Sequence, residues 1–447
     1  MNPEIFREYD IRGVIGQDIK EDEFIGMGKG FGTYFTHLAK KRIVVAMDCR
    51  LSSSRIRDGV TEGLVSTGCE IVDVGICPTP TFYFAVRHLE ADGGVMITAS
   101  HNPPRYNGFK ICKGYDTIYG KEIQKVRMLI EEADFVKGKG TYGSEEIIEP
   151  YIERIREDIN VSPGIRVGFD AGNGTGGPVG VKLLKSFRCE VHDLYCDMDG
   201  TFPNHEPDPT VLDNMKDLIN EVMTHSLGLG IGVDGDADRI GVVDSSGDII
   251  FGDMLLLLFA RDVLVEHPGA TIISEVKCSD RMYRDIGDRG GNAIMWKTGH
   301  SLIKDKMKET KALLAGEMSG HMFFADKYYG YDDAIYASCR LLEILSKTGK
   351  SLRELLQDVP KSYTTPEIRV ECPDAKKFEL VSRLRDEFRE HYEIIDVDGV
   401  RVVFDDGWGL ARASNTQPAL VLRFEARSKE RLDEIKNMVE EAIERLR

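Results

Sequence analysis

Three segments of the chain share one pattern: a continuous apolar run, rich in β-branched residues, that ends at an aspartate. They are residues 42–48, 165–170 and 229–234. Runs this continuous are typical of strands covered on both faces, as in the sheets of α/β proteins. Helical patterns alternate with them, for instance at residues 121–133 and 301–309, which favours βαβ units. The pattern therefore predicts an α/β fold for most of the chain.

The C-terminal part of the sequence has a different pattern. Two sets of apolar residues recur at helical spacing there: Phe378, Val381, Leu384 and Phe388, then Leu432, Ile435, Val439, Ala442 and Leu446. Between these sets an alternating segment predicts a strand with one buried face, formed by Leu420, Leu422 and Phe424. We therefore expect a smaller α+β domain after the α/β repeats.

Length and composition exclude several classes of protein. A chain of 447 residues is too long for one ordinary core, which suggests about three domains from length alone. The longest apolar stretch, near residues 254–260, is far shorter than the roughly 18 residues of a membrane span, and we interpret it as a core helix. The start of the sequence lacks a secretion signal, and nine scattered cysteines fit reduced thiols. We expect a cytoplasmic protein without a membrane partner.

The charge of the chain limits its ligands. A formal net charge of -17 argues against a nucleic-acid surface, because binding to a phosphate backbone relies on clustered Lys and Arg. A small anion would need local positive charge instead. The candidates are Arg7, Arg12, Lys110, Arg239, Lys277, Arg412 and Arg423.

Two loops carry chemistry. The segment 98–103 follows the apolar run 94–97, so Ser100 is predicted at the end of a strand, where a nucleophile can be presented. A second run, 230–233, is followed by Asp234, Asp236 and Asp238, then Arg239. Carboxylates packed this densely are tolerable mainly around a hard cation such as Mg²⁺. A serine, a cation site and an arginine together suggest phosphoryl transfer.

Each loop also has a simpler interpretation. A Ser-His pair is often only a detail of a loop. The aspartate run could be a solvated turn, although the spacing of an EF-hand calcium loop is missing. A metal-dependent phosphatase is a further alternative. Phosphoryl transfer to a substrate differs from hydrolysis in that water is excluded from the site, and a sequence does not show whether water is excluded.

These loops form part of an ordered set of motifs that spans the chain. The others are Phe6-Arg7-Glu8-Tyr9-Asp10-Ile11-Arg12-Gly13, Asn107-Gly108-Phe109-Lys110, Phe202-Pro203-Asn204-His205-Glu206-Pro207-Asp208-Pro209, Lys297-Thr298-Gly299-His300-Ser301, Gly316-Glu317-Met318-Ser319-Gly320-His321 and Arg412-Ala413-Ser414-Asn415-Thr416. The set resembles the α-D-phosphohexomutase superfamily, and within it the phosphomannomutase/phosphoglucomutase group. The resemblance runs nearly end to end.

The resemblance implies three similar mixed α/β domains and a smaller C-terminal α+β domain around a central active-site cleft. We place the domains at residues 1–146, with the phosphoserine loop, and 147–248, with the metal-binding loop. The third, 249–360, would hold the sugar-binding loop, and the fourth, 361–447, the phosphate-binding loop. The implied protein is a monomer or a small homo-oligomer.

The resemblance also implies an isomerase that interconverts hexose 1-phosphate and hexose 6-phosphate, with mannose, glucose or both as the sugar. Ser100 would rest as a phosphoserine, and a hexose 1,6-bisphosphate would be both intermediate and activator. Mg²⁺ would be held by Asp234, Asp236, Asp238 and an oxygen of phosphorylated Ser100, with Arg239 beside it.

The remaining implied roles concern proton transfer and binding of phosphorylated hexoses. Four residues are candidates for the general acid and base, and the sequence does not rank them: Lys110, His101, His300 and His321. Glu317 and Ser319 would bind the sugar. The phosphate that is not transferred would be bound by Arg412, Ser414, Asn415, Thr416 and Arg423, with help from Tyr9, Arg12, Lys277 and His300.

Two other functions are open. A phosphoglucosamine mutase of the same superfamily is the nearest; Met318 and the segment 204–209 favour the phosphomannomutase/phosphoglucomutase group, although Glu206 stands where a His is more usual. A catalytically silent sugar-phosphate-binding protein is disfavoured because Ser100 and the three aspartates are all retained.

Overall fold

The computed structural model describes residues 1–414 and 417–447. These residues group into two compact units. Unit 1 comprises residues 1–255 and 319–355, and unit 2 comprises residues 256–318 and 356–447. Asn415 and Thr416, both predicted to bind phosphate, lie outside the described residues. No helix in the described ranges has the length and apolar character needed to cross a membrane.

The first sheet of unit 1 is mixed. Its elements, in chain order, are β1 (Ile11–Val14), α1 (Phe24–His37), β2 (Arg42–Met47), α2 (Ser53–Ser66), β3 (Glu70–Ile76), α3 (Thr79–His88), β4 (Gly93–Ile97), β5 (Tyr106–Lys113), β6 (Asp116–Thr117), α4 (Lys121–Glu132) and β7 (Thr141–Ser144). The strand order is β1-β5-β4-β2-β3-β7, with β6 paired to β5. Strands β4, β2, β3 and β7 are parallel, whereas β1 and β5 run antiparallel to their neighbours. Helices α2 and α3 pack against β2, which explains its uninterrupted apolar sequence.

The second sheet of unit 1 follows the same plan. Its elements are α5 (Ile148–Asp158), β8 (Arg166–Asp170), α6 (Gly176–Ser186), β9 (Glu190–Leu194), α7 (Lys216–His225), β10 (Leu229–Val233), β11 (Ile240–Asp244) and β12 (Ile249–Ile250). The strand order is β12-β11-β10-β8-β9, in which β10, β8 and β9 are parallel. The three predicted strands are confirmed by β2, β8 and β10 to within about one residue.

Residues 252–356 provide the third set of elements. They are α8 (Gly252–Glu266), β13 (Thr271–Glu275), α9 (Asp280–Asp288), β14 (Asn292–Trp296), α10 (His300–Thr310), β15 (Leu314–Gly316), β16 (Met322–Phe324), α11 (Ala334–Thr348) and α12 (Leu352–Leu356). In unit 2, β13 pairs in parallel with β14 and β15. In unit 1, α11 packs on β10, β11 and β16. The apolar stretch 254–260 lies in α8, as predicted.

The C-terminal part of unit 2 is an antiparallel sheet with two helices. Its elements are β17 (Tyr363–Thr364), β18 (Ile368–Glu371), α13 (Asp374–Arg389), β19 (Glu393–Ile395), β20 (Val400–Phe404), β21 (Gly407–Ala413), β22 (Ala419–Ala426) and α14 (Lys429–Leu446). The strand order is β17-β22-β21-β20-β19, and β18 also pairs with β22. The prediction of an α+β domain with two amphipathic helices is confirmed.

Two details of that prediction are wrong. Strand β22 is buried on both faces. On the face expected to meet water, Glu425 Oε1 accepts a hydrogen bond from Ser279 Oγ at 2.8 Å, which helps to offset the burial of that carboxylate. Phe378 is 60% exposed, and its neighbour Lys377 is buried instead. The Lys377 ammonium donates to main-chain carbonyl oxygens of the loop after β21, which explains why this helix turns a lysine inward.

Candidate active site

The loop after β4 presents Ser100, as predicted. Ser100 adopts a left-handed backbone conformation, with φ of +49°, and is 2% exposed. Its main-chain N–H donates to Thr98 Oγ1 at 2.9 Å, which fixes the turn. Its hydroxyl donates to Asp234 Oδ2 at 2.7 Å. The two predicted loops, from separate sheets of unit 1, therefore meet at this hydrogen bond.

A buried arginine that the sequence interpretation missed holds this loop. The Arg50 guanidinium donates to four main-chain carbonyl oxygens, those of Ser100, Asn102, Pro103 and Tyr106, at 2.6 to 3.2 Å. Its Nε donates to Asp48 Oδ2 at 3.0 Å. Asp48 is the aspartate that ends the first apolar run, but that pattern carried no signal that marked Arg50 as buried.

The three aspartates after β10 form a buried cluster. Carboxylate oxygens of Asp234, Asp236 and Asp238 all lie within 4.8 Å of one another, and none of these side chains is exposed. Asp234 Oδ1 accepts the main-chain N–H groups of Asp238, at 3.0 Å, and Arg239, at 3.1 Å. Burial raises the pKa of Asp234 well above its usual value, and repulsion from the other two carboxylates raises it further.

Lys110 on β5 supplies the nearest positive charge to this cluster. Its ammonium donates to Asp236 Oδ2 at 2.7 Å and also to Asp238 Oδ2. Burial works to raise the pKa of Asp238, yet the charge of Lys110 outweighs it and lowers that pKa. Burial likewise works to lower the pKa of Lys110, but the aspartates outweigh it and the pKa is raised. The lysine is therefore charged at neutral pH.

The carboxylate oxygens of this cluster are suitable ligands for a hard divalent cation. Carboxylate oxygens are the ligands that Mg²⁺ prefers, and three of them converge here. Asp236 Oδ1 is buried and accepts no hydrogen bond from any residue in the described ranges. A buried carboxylate oxygen without a donor is costly unless a cation satisfies it.

Arg239 and His321 are joined directly, as residues of one isolated antiparallel bridge. Arg239 Nε donates to His321 Nε2 at 3.0 Å, so the proton of that imidazole lies on Nδ1, which is 3.2 Å from Asp332 Oδ2. Gly320 makes the approach possible. Its φ is +92°, and a Cβ there would lie 2.3 Å from the carbonyl oxygen of Ile240.

His101 has a different partner from His321. Its Nδ1 lies 2.8 Å from a carboxylate oxygen of Asp208, within the motif 202–209. Burial, reinforced by the charge of Arg239, lowers the pKa of His101 to about 4, so the imidazole is neutral at pH 7. Nδ1 then donates to Asp208, and Nε2 carries the lone pair. Asp208 was not predicted as a site residue.

The N-terminal motif contributes to the same loop. Arg12 Nη1 donates to Asn102 Oδ1 at 2.5 Å, and Arg12 Nη2 donates to Asp10 Oδ2 at 2.5 Å. The preceding Tyr9 is half-buried in the bend before β1. Arg12 therefore lies beside the Ser100 loop, on a strand that pairs with the strand carrying Lys110.

Unit 2 gathers a second set of predicted residues. Lys277, just after β13, is buried between two acids: its Nζ lies 3.2 Å from Glu367 Oε2 and 3.4 Å from Glu275 Oε1. Burial works to lower the pKa of Lys277, but these carboxylates outweigh it and raise the pKa. Glu275 also accepts the main-chain N–H of Met318 at 2.9 Å, within the predicted sugar loop.

The predicted sugar residues sit on either side of Met318. Glu317 is buried in unit 2, and Ser319 is half-buried in the turn that leads to β16. His300 begins α10 and is half-buried.

The predicted phosphate loop follows β21. Arg412 pairs with Val421 and Arg423 pairs with Leu410 across β21 and β22, which places both arginines on the same face of the sheet. Arg412 Nε donates to Asp398 Oδ2 at 2.9 Å. Ser414 Oγ accepts the main-chain N–H of Gln417 at 3.1 Å. Both arginines are buried, so their side chains are restricted in position and do not move freely in solvent.

Four family models match the chain in order, under the description phosphoglucomutase/phosphomannomutase. Alpha/beta/alpha domain I matches residues 3–137, domain II residues 149–247 and domain III residues 251–363, and the C-terminal domain matches residues 367–442. Our own domain boundaries stay predictions.

Curated relatives are similar over almost their whole length. A phosphomannomutase/phosphoglucomutase of Pseudomonas aeruginosa is 46% identical over 435 residues, which cover 97% of this chain and 94% of that protein. A phosphoglucomutase of Neisseria gonorrhoeae is 42% identical over 446 residues, which cover 99% of this chain and 97% of the other.

Solved structures agree with these relatives. A phosphoglucomutase/phosphomannomutase family protein of Burkholderia thailandensis superposes with a TM-score of 0.95 at 41% identity, covering 100% of this chain and 98% of that one. An N-acetylphosphoglucosamine mutase of Aspergillus fumigatus shares the fold alone, with a TM-score of 0.59 at 18% identity over 91% of this chain and 76% of that one. The chain belongs to the phosphoglucomutase/phosphomannomutase family, within the α-D-phosphohexomutase superfamily.

Proposed function

We propose that this protein is a phosphohexomutase that interconverts hexose 1-phosphate and hexose 6-phosphate, with mannose, glucose or both as the sugar. The observation that carries the proposal is the hydrogen bond from Ser100 Oγ to Asp234 Oδ2, which joins a nucleophile to a buried carboxylate cluster. A phosphate-binding protein without catalysis would need the buried arginines of unit 2 but not this arrangement.

The reaction begins with phosphorylated Ser100. The bond between Ser100 Oγ and phosphorus breaks as a hydroxyl of the sugar phosphate forms a new bond to phosphorus, and the proton of that hydroxyl passes to a base. The product is a hexose 1,6-bisphosphate. Its other phosphate then returns to Ser100, and a proton returns to the sugar oxygen. Because one serine serves both ends, the intermediate must present its two phosphates in turn.

Asp234, Asp236 and Asp238 would hold Mg²⁺, together with an oxygen of phosphorylated Ser100. The ion would neutralise charge on the transferred group when bound. Arg239 belongs to the same cluster through its main-chain N–H, which donates to Asp234 Oδ1. The side chain of Arg239 donates to His321, and it would contact the transferred phosphoryl group.

Hydrogen-bond geometry supports a choice among the candidates for the base. The Lys110 ammonium is bound by two carboxylates, which suits an electrostatic clamp. The Nε2 lone pair of His321 already accepts from Arg239. His101 donates through Nδ1 to Asp208 and keeps the Nε2 lone pair. We assign His101 as the proton acceptor of unit 1, and His300 is the candidate of unit 2.

The substrate-binding roles divide between two parts of the sequence. Glu317 and Ser319 would bind paired sugar hydroxyls. Arginine forks and hydroxyls form an efficient phosphate receptor, which suits the set Arg412, Ser414, Asn415, Thr416 and Arg423 for the phosphate that is not transferred. Tyr9 and Arg12 of unit 1, and Lys277 and His300 of unit 2, stay predicted phosphate-binding residues.

The sugar preference is decided by assay. The names of the relatives favour mannose and glucose over glucosamine phosphate, and rates with glucose, mannose and glucosamine 1-phosphates compare the three directly. Highest kcat/KM with glucosamine 1-phosphate would replace our proposal by the rival mutase.

We further propose a cytoplasmic protein, supported by nine free thiols, that acts as a monomer or small homo-oligomer and is activated by hexose 1,6-bisphosphate.

The relay through serine is tested by Ser100→Ala. We expect mutase activity to fall by at least about 100-fold, because the covalent step is lost while sugar binding survives. Intact-mass measurement should find a phosphorylated fraction in the parent and in the control Ser66→Ala, and none in Ser100→Ala. Equal activity of Ser100→Ala and the parent would exclude the relay.

The metal and the base are tested separately. Chelation should abolish turnover and Mg²⁺ should restore it, and Asp236→Asn should weaken the apparent affinity for Mg²⁺ more than that for sugar phosphate. His101→Gln should lower kcat by about 100-fold or more with little change in KM. Activity that survives exhaustive removal of divalent metal would refute the metal site, and parental kcat in His101→Gln would refute the base.

A further inference from the structure

Two histidines and a glutamate converge on the surface of unit 1, on elements that the proposed chemistry does not use. His192 lies on β9, which is the edge strand of the second sheet. Glu221 and His225 lie four residues apart on α7, so they occupy one side of that helix. The buried residues of α7, Leu218 and Val222, face the core, and the polar pair is left beside the sheet edge.

The ligand atoms of this cluster have the separations of a metal site. His192 Nδ1 lies 2.9 Å from Glu221 Oε1, and His225 Nε2 lies 3.4 Å from the same oxygen. All three residues offer an atom within 4.8 Å of the others. Bonds of about 2.0 to 2.2 Å in a tetrahedral site place ligand atoms roughly 3.3 Å apart. Small rotamer adjustments therefore suffice for one ion to contact all three.

A second carboxylate orients the imidazole independently. His192 Nε2, on the far side of the ring, lies 3.4 Å from Glu190 Oε1. Glu190 is in turn held by Arg166 Nε at 3.1 Å. Metal-binding histidines commonly donate their other N–H to a carboxylate, which fixes the tautomer that leaves the ligating nitrogen free. An ordinary surface ion pair does not require this chain of contacts.

We propose that His192, Glu221 and His225 form a binding site for a divalent transition-metal ion of the zinc class. Two imidazoles and one carboxylate suit zinc and its neighbours, whereas Mg²⁺ and Ca²⁺ take oxygen ligands. The side chains are partly exposed, so an ion can enter from solvent and water completes its coordination. Bound metal would join α7 to the edge strand β9 and stabilise the second sheet.

The test uses full-length protein without a polyhistidine tag, kept in excess Mg²⁺ so that the aspartate cluster is supplied with its own ion. Zn²⁺ is titrated in competition with a chromophoric chelator, and thermal unfolding is followed with and without Zn²⁺. The variants are the double change His192→Ala/His225→Ala and the milder Glu221→Gln. His37→Ala, an exposed histidine at the end of α1, is the matched control.

We expect the parent and His37→Ala to bind one equivalent of Zn²⁺ more than the double variant, with micromolar or tighter affinity for that equivalent. Zn²⁺ should raise the unfolding temperature of the parent and not that of the double variant. Glu221→Gln should weaken the site by about 10-fold or more, since it loses the anionic ligand. Mutase activity in Mg²⁺ should be equal in all four proteins. The proposal would be overturned if the parent and the double variant bound the same number of Zn²⁺ ions. It would also be overturned if Mg²⁺ displaced Zn²⁺ from this site as readily as Zn²⁺ displaces Mg²⁺.

Discussion

Replacement of Arg50 by lysine tests whether this buried guanidinium sets the conformation of the Ser100 loop. The Arg50 guanidinium makes five hydrogen bonds: one to Asp48 and four to main-chain carbonyl oxygens of residues 100–106. Lysine keeps the positive charge but offers three donors from one nitrogen. At least two of the five acceptors must therefore lose their donor in Arg50→Lys.

The expected loss follows from these contacts. A buried carbonyl left without a donor costs about 1 to 3 kcal/mol, so two of them cost about 2 to 6 kcal/mol. Main-chain carbonyls can form hydrogen bonds with water when the loop opens, so we take the lower value of about 2 kcal/mol. A loss of about 2 kcal/mol raises the population of opened loop by roughly 30-fold. Ser100 is then misplaced for part of the time, and kcat should fall more than KM rises.

Hydrogen exchange measures this opening directly. The amides of Asn102 and Tyr106 are bonded within the loop, to the carbonyls of Ala99 and Pro103, and their exchange should accelerate by roughly 30-fold or more in Arg50→Lys. Arg57→Lys is the control, because Arg57 binds acidic side chains and no carbonyl of this loop. Unchanged exchange in Arg50→Lys, or equal acceleration in the control, would refute the clamp.

Three further changes test other charges. Lys110→Met should destabilise unit 1 by about 3 to 5 kcal/mol, because it leaves buried carboxylates without a compensating charge. The control Lys113→Met, on the same strand, should cost under about 1 kcal/mol. Hydrogen exchange in β5 measures both losses, and equal losses would contradict the role of Lys110 in compensating the aspartates. Burial works to lower the pKa of His205, but Asp170 outweighs it and raises that pKa above 6.5, so this stabilisation is present below pH 6.5 and lost as pH rises through the raised pKa. The difference in stability between the parent and His205→Gln should accordingly shrink as the pH rises above 6.5, and a constant difference in denaturation experiments would refute the linkage. Arg412→Ala should raise KM for sugar 1-phosphates by roughly 10- to 150-fold and make turnover more dependent on added glucose 1,6-bisphosphate, and an unchanged KM would exclude its role in phosphate binding.

The residues that the sequence located best lie where a strand pattern ends. Ser100 follows a continuous apolar run in the first sheet of unit 1 and Asp234 follows one in the second. In open α/β sheets, ligands gather beyond the carboxyl ends of such strands. Resemblance to the superfamily added the roles, and the structure added the hydrogen bond that joins the two loops. The apolar pattern was sufficient to place these two residues in loops, because the end of a strand is decided by the backbone and by the local sequence.

The partners of those residues could not be predicted in the same way. Asp48 and Arg50 are separated from Ser100 by about fifty residues, and Asp208 is more than one hundred residues from His101. Nothing in local spacing distinguishes a buried clamp from a solvated surface charge, because the difference is made by packing from other elements. Lys377 shows the same limit, since helical periodicity favoured the larger apolar neighbour Phe378 for the core.

The buried cations suggest how a chain with a net charge of -17 would bind an anion at the proposed sites. Lys110, Lys277 and Arg412 are each already bound to carboxylates of their own unit. A buried cation without such a partner would be strongly unfavourable before the ligand arrives. A phosphate bound by these side chains, as we propose, would share or displace an internal carboxylate, so the net gain in free energy on binding would be smaller than the number of positive side chains suggests. That balance suits a mutase, because an intermediate that has to present both of its phosphates in turn must be held firmly enough to stay and loosely enough to reorient.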